Sequence, residues 1–242
     1  MWQNMANGII GTMNFRWMKC SYFLAYFGGL TMAVRRVLQI EQPQDAAVLR
    51  TKSTRITTFD KSLHPLIEDM IETMRVTDGV GIAAPQVGVL RRIVVIEQPA
   101  EVEELEDGTV RELAPSELYV MINPEIVKSS DETHTMLEGC LSMPGRFGDV
   151  PRRSWVTIKY HDLHGKEQRI RRASAEGYKV GRMIQHEIDH LDGVMFTDRI
   201  VDKSTLVDHR DETPEKRRRR RGLLRRRAEP VAEASNVIEE AL

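Results

Sequence analysis

Cysteine is scarce in this chain: Cys20 and Cys140 are the only two among 242 residues. Two thiols make no disulfide framework, so an oxidising compartment is not indicated. A long apolar run is also missing. The nearest candidate, residues 20–34, is too short for a comfortable membrane-spanning helix. No internal repeat is visible, which sets repeat architectures aside. A net charge of −1 hides an asymmetry, because residues 216–227 (KRRRRRGLLRRR) hold nine basic side chains and leave the remaining body acidic. The body therefore has no bulk electrostatic reason to hold nucleic acid, whereas the tail does.

What is present fits an ordinary globular protein, with 41% hydrophobic and 29% charged residues. The length suits one domain with flanking segments. That domain is expected over residues 32–202. Residues 1–31 form an extension in which Arg16 and Lys19 precede the apolar run, a pattern similar to a weak signal peptide. The duller reading puts the true start at Met32, where MAVRRVLQI begins plausibly; an unstructured extension is a further alternative. Residues 203–242 form a basic, flexible tail.

Periodicity supplies the elements. Leu63, Leu66, Ile67, Met70, Ile71 and Met74 recur at helical spacing, and Gly79 ends that helix. GVGIAAPQVG, residues 79–88, reads as a loop whose backbone lies close to something. RRIVVIE is a buried strand. The acidic stretch of residues 98–117 is a hairpin tip or insertion. LYVMINPEIVKSS is a strand that Asn123-Pro124 breaks. THTMLEGCLSMPG starts extended and turns at Pro144-Gly145. Residues 154–174 alternate around a turn at 162–165, a hairpin signal. Val180, Met183, Ile184 and Ile188 mark a final helix closed by Gly193. Strands dominate the middle and one buried helix lies near the end. The class is α+β, with mixed or antiparallel sheets packed around a central helix.

That helix carries the chemistry. His186 and His190 stand four apart, so both rings share one face, with Glu187 beside the first. Two such imidazoles suit a transition metal, and the Glu suits a general base on metal-bound water. A catalytic site wants a third protein ligand and an open position. The extended metalloprotease pattern needs a His where Phe196 stands. Glu212 and Glu215 are carboxylate alternatives near the tail. Cys140, in the small-residue turn LEGCLSMPG, is the better donor, although free cysteines are more often inert core residues.

GVGIAAPQVG (79–88), EGCLSMPG (138–145) and QHEIDHLDG (185–193) together resemble the three signature motifs of peptide deformylase, in the family's order. The resemblance spans about residues 34–199 and covers neither the leader nor the tail. It implies a metal-dependent hydrolase that removes the formyl group from N-formylmethionine at the start of new polypeptides. The implied metal ligands are Cys140, His186 and His190, and the ion is Fe2+ first, with Zn2+, Ni2+ or Co2+ as substitutes. The implied general acid/base is Glu187, acting with attack by metal-bound hydroxide. The implied oxyanion stabilisers are the Gln86 side chain and the Leu141 backbone N–H. Glu138 and Arg152 match a pair that braces the site. Val80, Met136 and Met183 match positions that line the substrate's methionine pocket, and Gly81 is a further substrate-binding position. Many relatives carry a substrate-contacting basic residue after the Cys motif, and Arg146 stands one position off. His64, His134, His161, His164 and His209 match no motif and read as surface or structural groups.

Two readings compete. One is an HExxH zinc endopeptidase with a carboxylate as third ligand; the other is a structural metal site in an RNA-binding adaptor. The expected partners are N-formylmethionyl nascent peptides and, through the basic tail, ribosomal RNA. No membrane association is expected. The protein is expected to be a cytoplasmic monomer, with an organelle as the alternative location.

Overall fold

The computed structural model describes residues 25–27, 30–104, 109–174 and 180–210. Most of the leader, residues 175–179, and the tail from residue 211 with Glu212, Glu215 and the arginine run lie outside the described residues. In chain order the elements are β1 (Ala25–Phe27), β2 (Leu30–Met32), α1 (Pro43–Leu49), α2 (Leu63–Val76), β3 (Gly81–Ala83), β4 (Ile93–Gln98), β5 (Glu101–Glu104), β6 (Val110–Ala114), β7 (Glu117–Ser129), β8 (Thr133–Cys140), β9 (Met143–Arg153), β10 (Trp155–His161), β11 (Glu167–Ala173), α3 (Val180–Leu191), α4 (Phe196–Arg199) and β12 (Val207–Asp208). A 3-10 turn, Ala84–Val87, links β3 to β4. The class is α+β. One five-stranded sheet runs β11-β10-β7-β4-β3 and a second runs β12-β9-β8; all their pairings are antiparallel. No helix among the described residues is long and apolar enough to cross a membrane.

The continuous apolar run of β4 has a physical cause. Successive side chains of a strand point to opposite faces. Ile93 and Val95 join the cluster under α2, with Ile67, Met70 and Met74. Val94 and Ile96 join the cluster under α3, with Met183, Ile184 and Ile188. A helix covers each face, so β4 has no polar side. A third cluster, with Leu38, Leu49, Val150, Met195 and Phe196, fills the space beside β9 and α4.

Residues 79–88, read from the sequence as a loop, hold β3 and the 3-10 turn, and two further local features differ from the sequence reading. β7 runs through Asn123-Pro124 without a break. Asn123 takes φ 53°, and its side chain bonds both the N–H and the carbonyl of Ile56, at 2.8 and 2.7 Å. The strand hands its pairing from β4 to β10 around this point, so the kink serves a change of neighbour. The second difference concerns the hairpin of β8 and β9. It reverses at Leu141 and Ser142, where Cys140 pairs with Met143. Pro144 and Gly145 fall in a bulge that separates that pair from Gly139 and Phe147, and Gly145 takes φ 78° there.

The end of α3 is held firmly. Gly193 N–H donates to His190 O (3.2 Å) and Val194 N–H to Asp189 O (2.9 Å), the paired bonds of a Schellman cap. Gly193 has φ 74°, and a Cβ there would stand 2.4 Å from Arg50 O. We predict that Gly193→Ala lowers stability by roughly 2–3 kcal/mol, from the left-handed backbone and the backbone contact together. Urea unfolding checks this; a loss below about 0.5 kcal/mol would contradict it.

Candidate metal centre

Amphipathic spacing places α3 against the five-stranded sheet, and 11 of its residues are buried, charged ones among them. His186 and His190, one turn apart, project toward the hairpin turn that carries Cys140. One ligand atom from each of Cys140, His186 and His190 lies within 4.8 Å of the others. Cys140 Sγ stands 3.2 Å from His190 Nε2. The two rings are 5.0 Å apart and nearly perpendicular. His190 is buried, whereas Cys140 and His186 are partly open. Phe196, at the position where the extended metalloprotease pattern has a histidine, instead stacks on His186.

A buried ion network orients these donors. Glu138 lies two residues before Cys140 on β8. Its Oε1 accepts from Arg152 Nε (3.0 Å) and Arg182 Nη1 (2.7 Å). Its Oε2 accepts from Arg152 Nη2 and faces His186 Nδ1, both at 2.9 Å. Burial opposes ionisation of Glu138, but hydrogen bonds from His186 and Arg152 outweigh it and hold the carboxyl well below its usual range. Arg152 also reaches Asp189, which takes two bonds from Arg199. Burial alone would lower the His186 pKa; bonds to Cys140 and Glu138 raise it instead. Burial, reinforced by the His186 charge, pushes His190 down toward neutral imidazole. Arg182 and Asp189 escaped the sequence reading. The available signal was their spacing: with His186 and His190 they occupy i, i+4, i+7 and i+8 of one helix face.

Glu187 packs its carboxylate against β3. A Cβ on Gly81 would lie 2.5 Å from its Oε1, so only glycine leaves room for this carboxylate. Its Oε2 is buried without a hydrogen-bond partner among the described residues, and burial pushes its carboxyl up to about 7. Gln86 is buried in the 3-10 turn. Its Oε1 accepts from Ala83 N–H at 2.8 Å, which turns the Nε2 end toward Ser142 Oγ (3.3 Å) and Cys140 Sγ (3.5 Å). Leu141 follows Cys140 at the reversal, its side chain packed on the α2 cluster. Val80 and Met183 share the α3 cluster. Met136 lies half-buried on β8 opposite Val150. Arg146 is engaged by Glu41 and Asp208.

A sequence model of the polypeptide deformylase family matches residues 34–205. The chain belongs to the peptide deformylase family. Members remove the N-formyl group from newly made polypeptides in a metal-dependent reaction. The peptide deformylase of Roseiflexus sp. is 51% identical over 181 residues, covering 75% of this chain and 96% of that protein. That of Chloroflexus aurantiacus is 50% identical over 186 residues, covering 76% and 97%. Among solved structures, the Synechococcus elongatus deformylase in complex with actinonin is 37% identical, with TM-score 0.56, covering 70% of this chain and 82% of that one. An Acinetobacter baumannii deformylase bound to Met-Ala-Ser is 31% identical, with TM-score 0.57, covering 70% and 99%. The deformylase relationship also decides against the endopeptidase alternative.

The residues present fit the family's metal. One sulfur and two imidazoles converge, and the remaining nitrogen of His186 is held by a carboxylate, as metal-bound histidines usually are. We predict that Arg152→Met, which strands Glu138 and Asp189 without a shared cation, costs about 3–5 kcal/mol. Arg50→Met, which breaks a half-exposed pair with Asp198, should cost under about 1 kcal/mol. Equal losses in denaturant unfolding would contradict this contrast.

Proposed function

We propose that Cys140, His186 and His190 hold one divalent cation, Fe2+ first with Zn2+, Ni2+ or Co2+ as substitutes, and that Glu187 moves the protons of deformylation. The observation that carries this reading is one sulfur and two imidazole nitrogens converging within 4.8 Å, partly open to solvent. A cation held there supplies Lewis-acid chemistry, which lets water ionise near neutral pH. Glu187 accepts the proton of the attacking water and delivers it to the amine released as the formyl C–N bond breaks. Its unpartnered, buried oxygen supports that role. Gln86 Nε2 and the Leu141 N–H stabilise charge on the formyl oxygen, worth about 3–4 kcal/mol per donor. The fixed amide orientation of Gln86 supports its part. Val80, Met136 and Met183 line the site for the substrate's methionine, and Gly81 binds substrate. Glu138 and Arg152 keep the histidine face and the cysteine strand in register. The chain works as a monomer in the cytoplasm on N-formylmethionyl nascent peptides, and its arginine run contacts ribosomal RNA.

Two substitutions separate holding the cation from moving protons. Cys140→Ala should come through dialysis without metal. Glu187→Gln should keep its metal but lose about 100- to 10,000-fold in formate release from formyl-Met peptides. Retention of metal and activity by Cys140→Ala would refute the ligand set. Deleting residues 216–242 should abolish cosedimentation with ribosomes at low salt and leave hydrolysis of short formyl peptides intact. Unchanged cosedimentation would dispose of the RNA contact.

A further inference from the structure

The segment ahead of α1 ties together the two loops that flank Cys140. Leu38 N–H donates to Gln86 O at 2.8 Å, and Ile40 N–H donates to Ser142 O at 3.1 Å. Between them, Gln39 N–H donates to the buried carboxylate of Asp45 at 2.9 Å, and that carboxylate also receives Arg36. The backbone of Gln39 is therefore fixed from outside the site. Its side chain reaches inward: Nε2 donates to Val37 O (3.1 Å) and to Leu141 O (3.2 Å). The Leu141 carbonyl shares one peptide plane with the Ser142 N–H, and that N–H faces Cys140 Sγ at 3.4 Å. A continuous path thus runs from the Gln39 amide, through one rigid peptide, to the sulfur.

We propose that Gln39 is a positioning residue for the sulfur ligand, acting through the Leu141–Ser142 peptide. The proposal rests on Cys140 being that ligand. A peptide is planar, so a bond that fixes its C=O also aims its N–H. Donation to the carbonyl polarises the peptide and strengthens the N–H on the far side, by about 10–30% per bond. An N–H directed at a thiolate draws density from the sulfur and holds it in one place. Gln39 lies outside all three signature motifs, and the hydrogen bonds it donates go to Asp45, Val37 and Leu141. Its effect should therefore reach the metal through the sulfur alone.

Cobalt-loaded full-length protein tests this, because the sulfur-to-cobalt charge-transfer band reports on the thiolate. Gln39→Met removes the donor and keeps the length. Gln39→Glu puts an acceptor against the carbonyl. Gln39→Lys keeps an N–H donor on a flexible stem. The backbone bonds of residues 38–40 survive in all three, and so should the fold. Gln39→Met should shift the band to lower energy and release metal to a chelator about 10-fold faster, the lower end of what outer partners of a metal site cost. Gln39→Glu should exceed both changes, and Gln39→Lys should stay near the parent. kcat should fall more than KM rises. A band and a release rate unchanged in both Gln39→Met and Gln39→Glu would overturn the proposal, whatever their Tm. The Cys140→Ala protein distinguishes the two levels. A band that persists there removes the sulfur ligand itself, whereas a band lost there but unmoved by the Gln39 variants removes only the role of Gln39.

Discussion

The carboxylate of Glu138 receives Arg152 through two nitrogens, Arg182 through one, and His186 through its ring. All these partners are buried or nearly so, and they come from β9 and α3, while Glu138 itself stands on β8. One anion therefore sets how the histidine-bearing helix sits against the cysteine-bearing strand. Strand alternation supplies the rest, since positions i and i+2 share a face. Glu138 and Cys140 both face α3 for that reason, and the sulfur arrives where the imidazoles do. Without this anion, two arginines and a histidine would share a dry space with only Asp189 to offset them.

Such a network is a costly way to make a core, because each charge loses its water. Apolar residues of similar volume would hold the helix to the strands at least as well. What they would not do is fix a ring angle. The bond from His186 Nδ1 to Glu138 leaves Nε2 of that ring for the cluster, and the bond from Ala83 to Gln86 settles which end of the amide faces the sulfur. The glycine at position 81 follows the same logic: its missing side chain is the room that Glu187 occupies. Here the fold is organised around directions of donor atoms more than around volume.

Much of this was legible in the chain. Helical spacing reveals that His186 and His190 share a face, and β4 reads as a buried strand because neither of its faces can be polar. Other features left weaker traces. Arg182 and Asp189 lie on the inward stripe of α3, but inward positions are ordinarily sought among apolar residues, so charges there pass for solvent-facing ones. The hold of Gln39 on Leu141 spans 102 positions and depends on a peptide orientation that no local pattern encodes. Asn123-Pro124 looks like a strand break because the pair is poor in ladder donors, yet a side-chain bridge to Ile56 carries the strand through. The leader and the arginine-rich tail stand out in the sequence by composition alone.

X-ray absorption at the metal edge of the loaded full-length protein tests the central claim most directly. The account predicts one sulfur scatterer, at about 2.3 Å if the ion is zinc, together with two imidazoles. A spectrum with nitrogen and oxygen shells and no sulfur would contradict it.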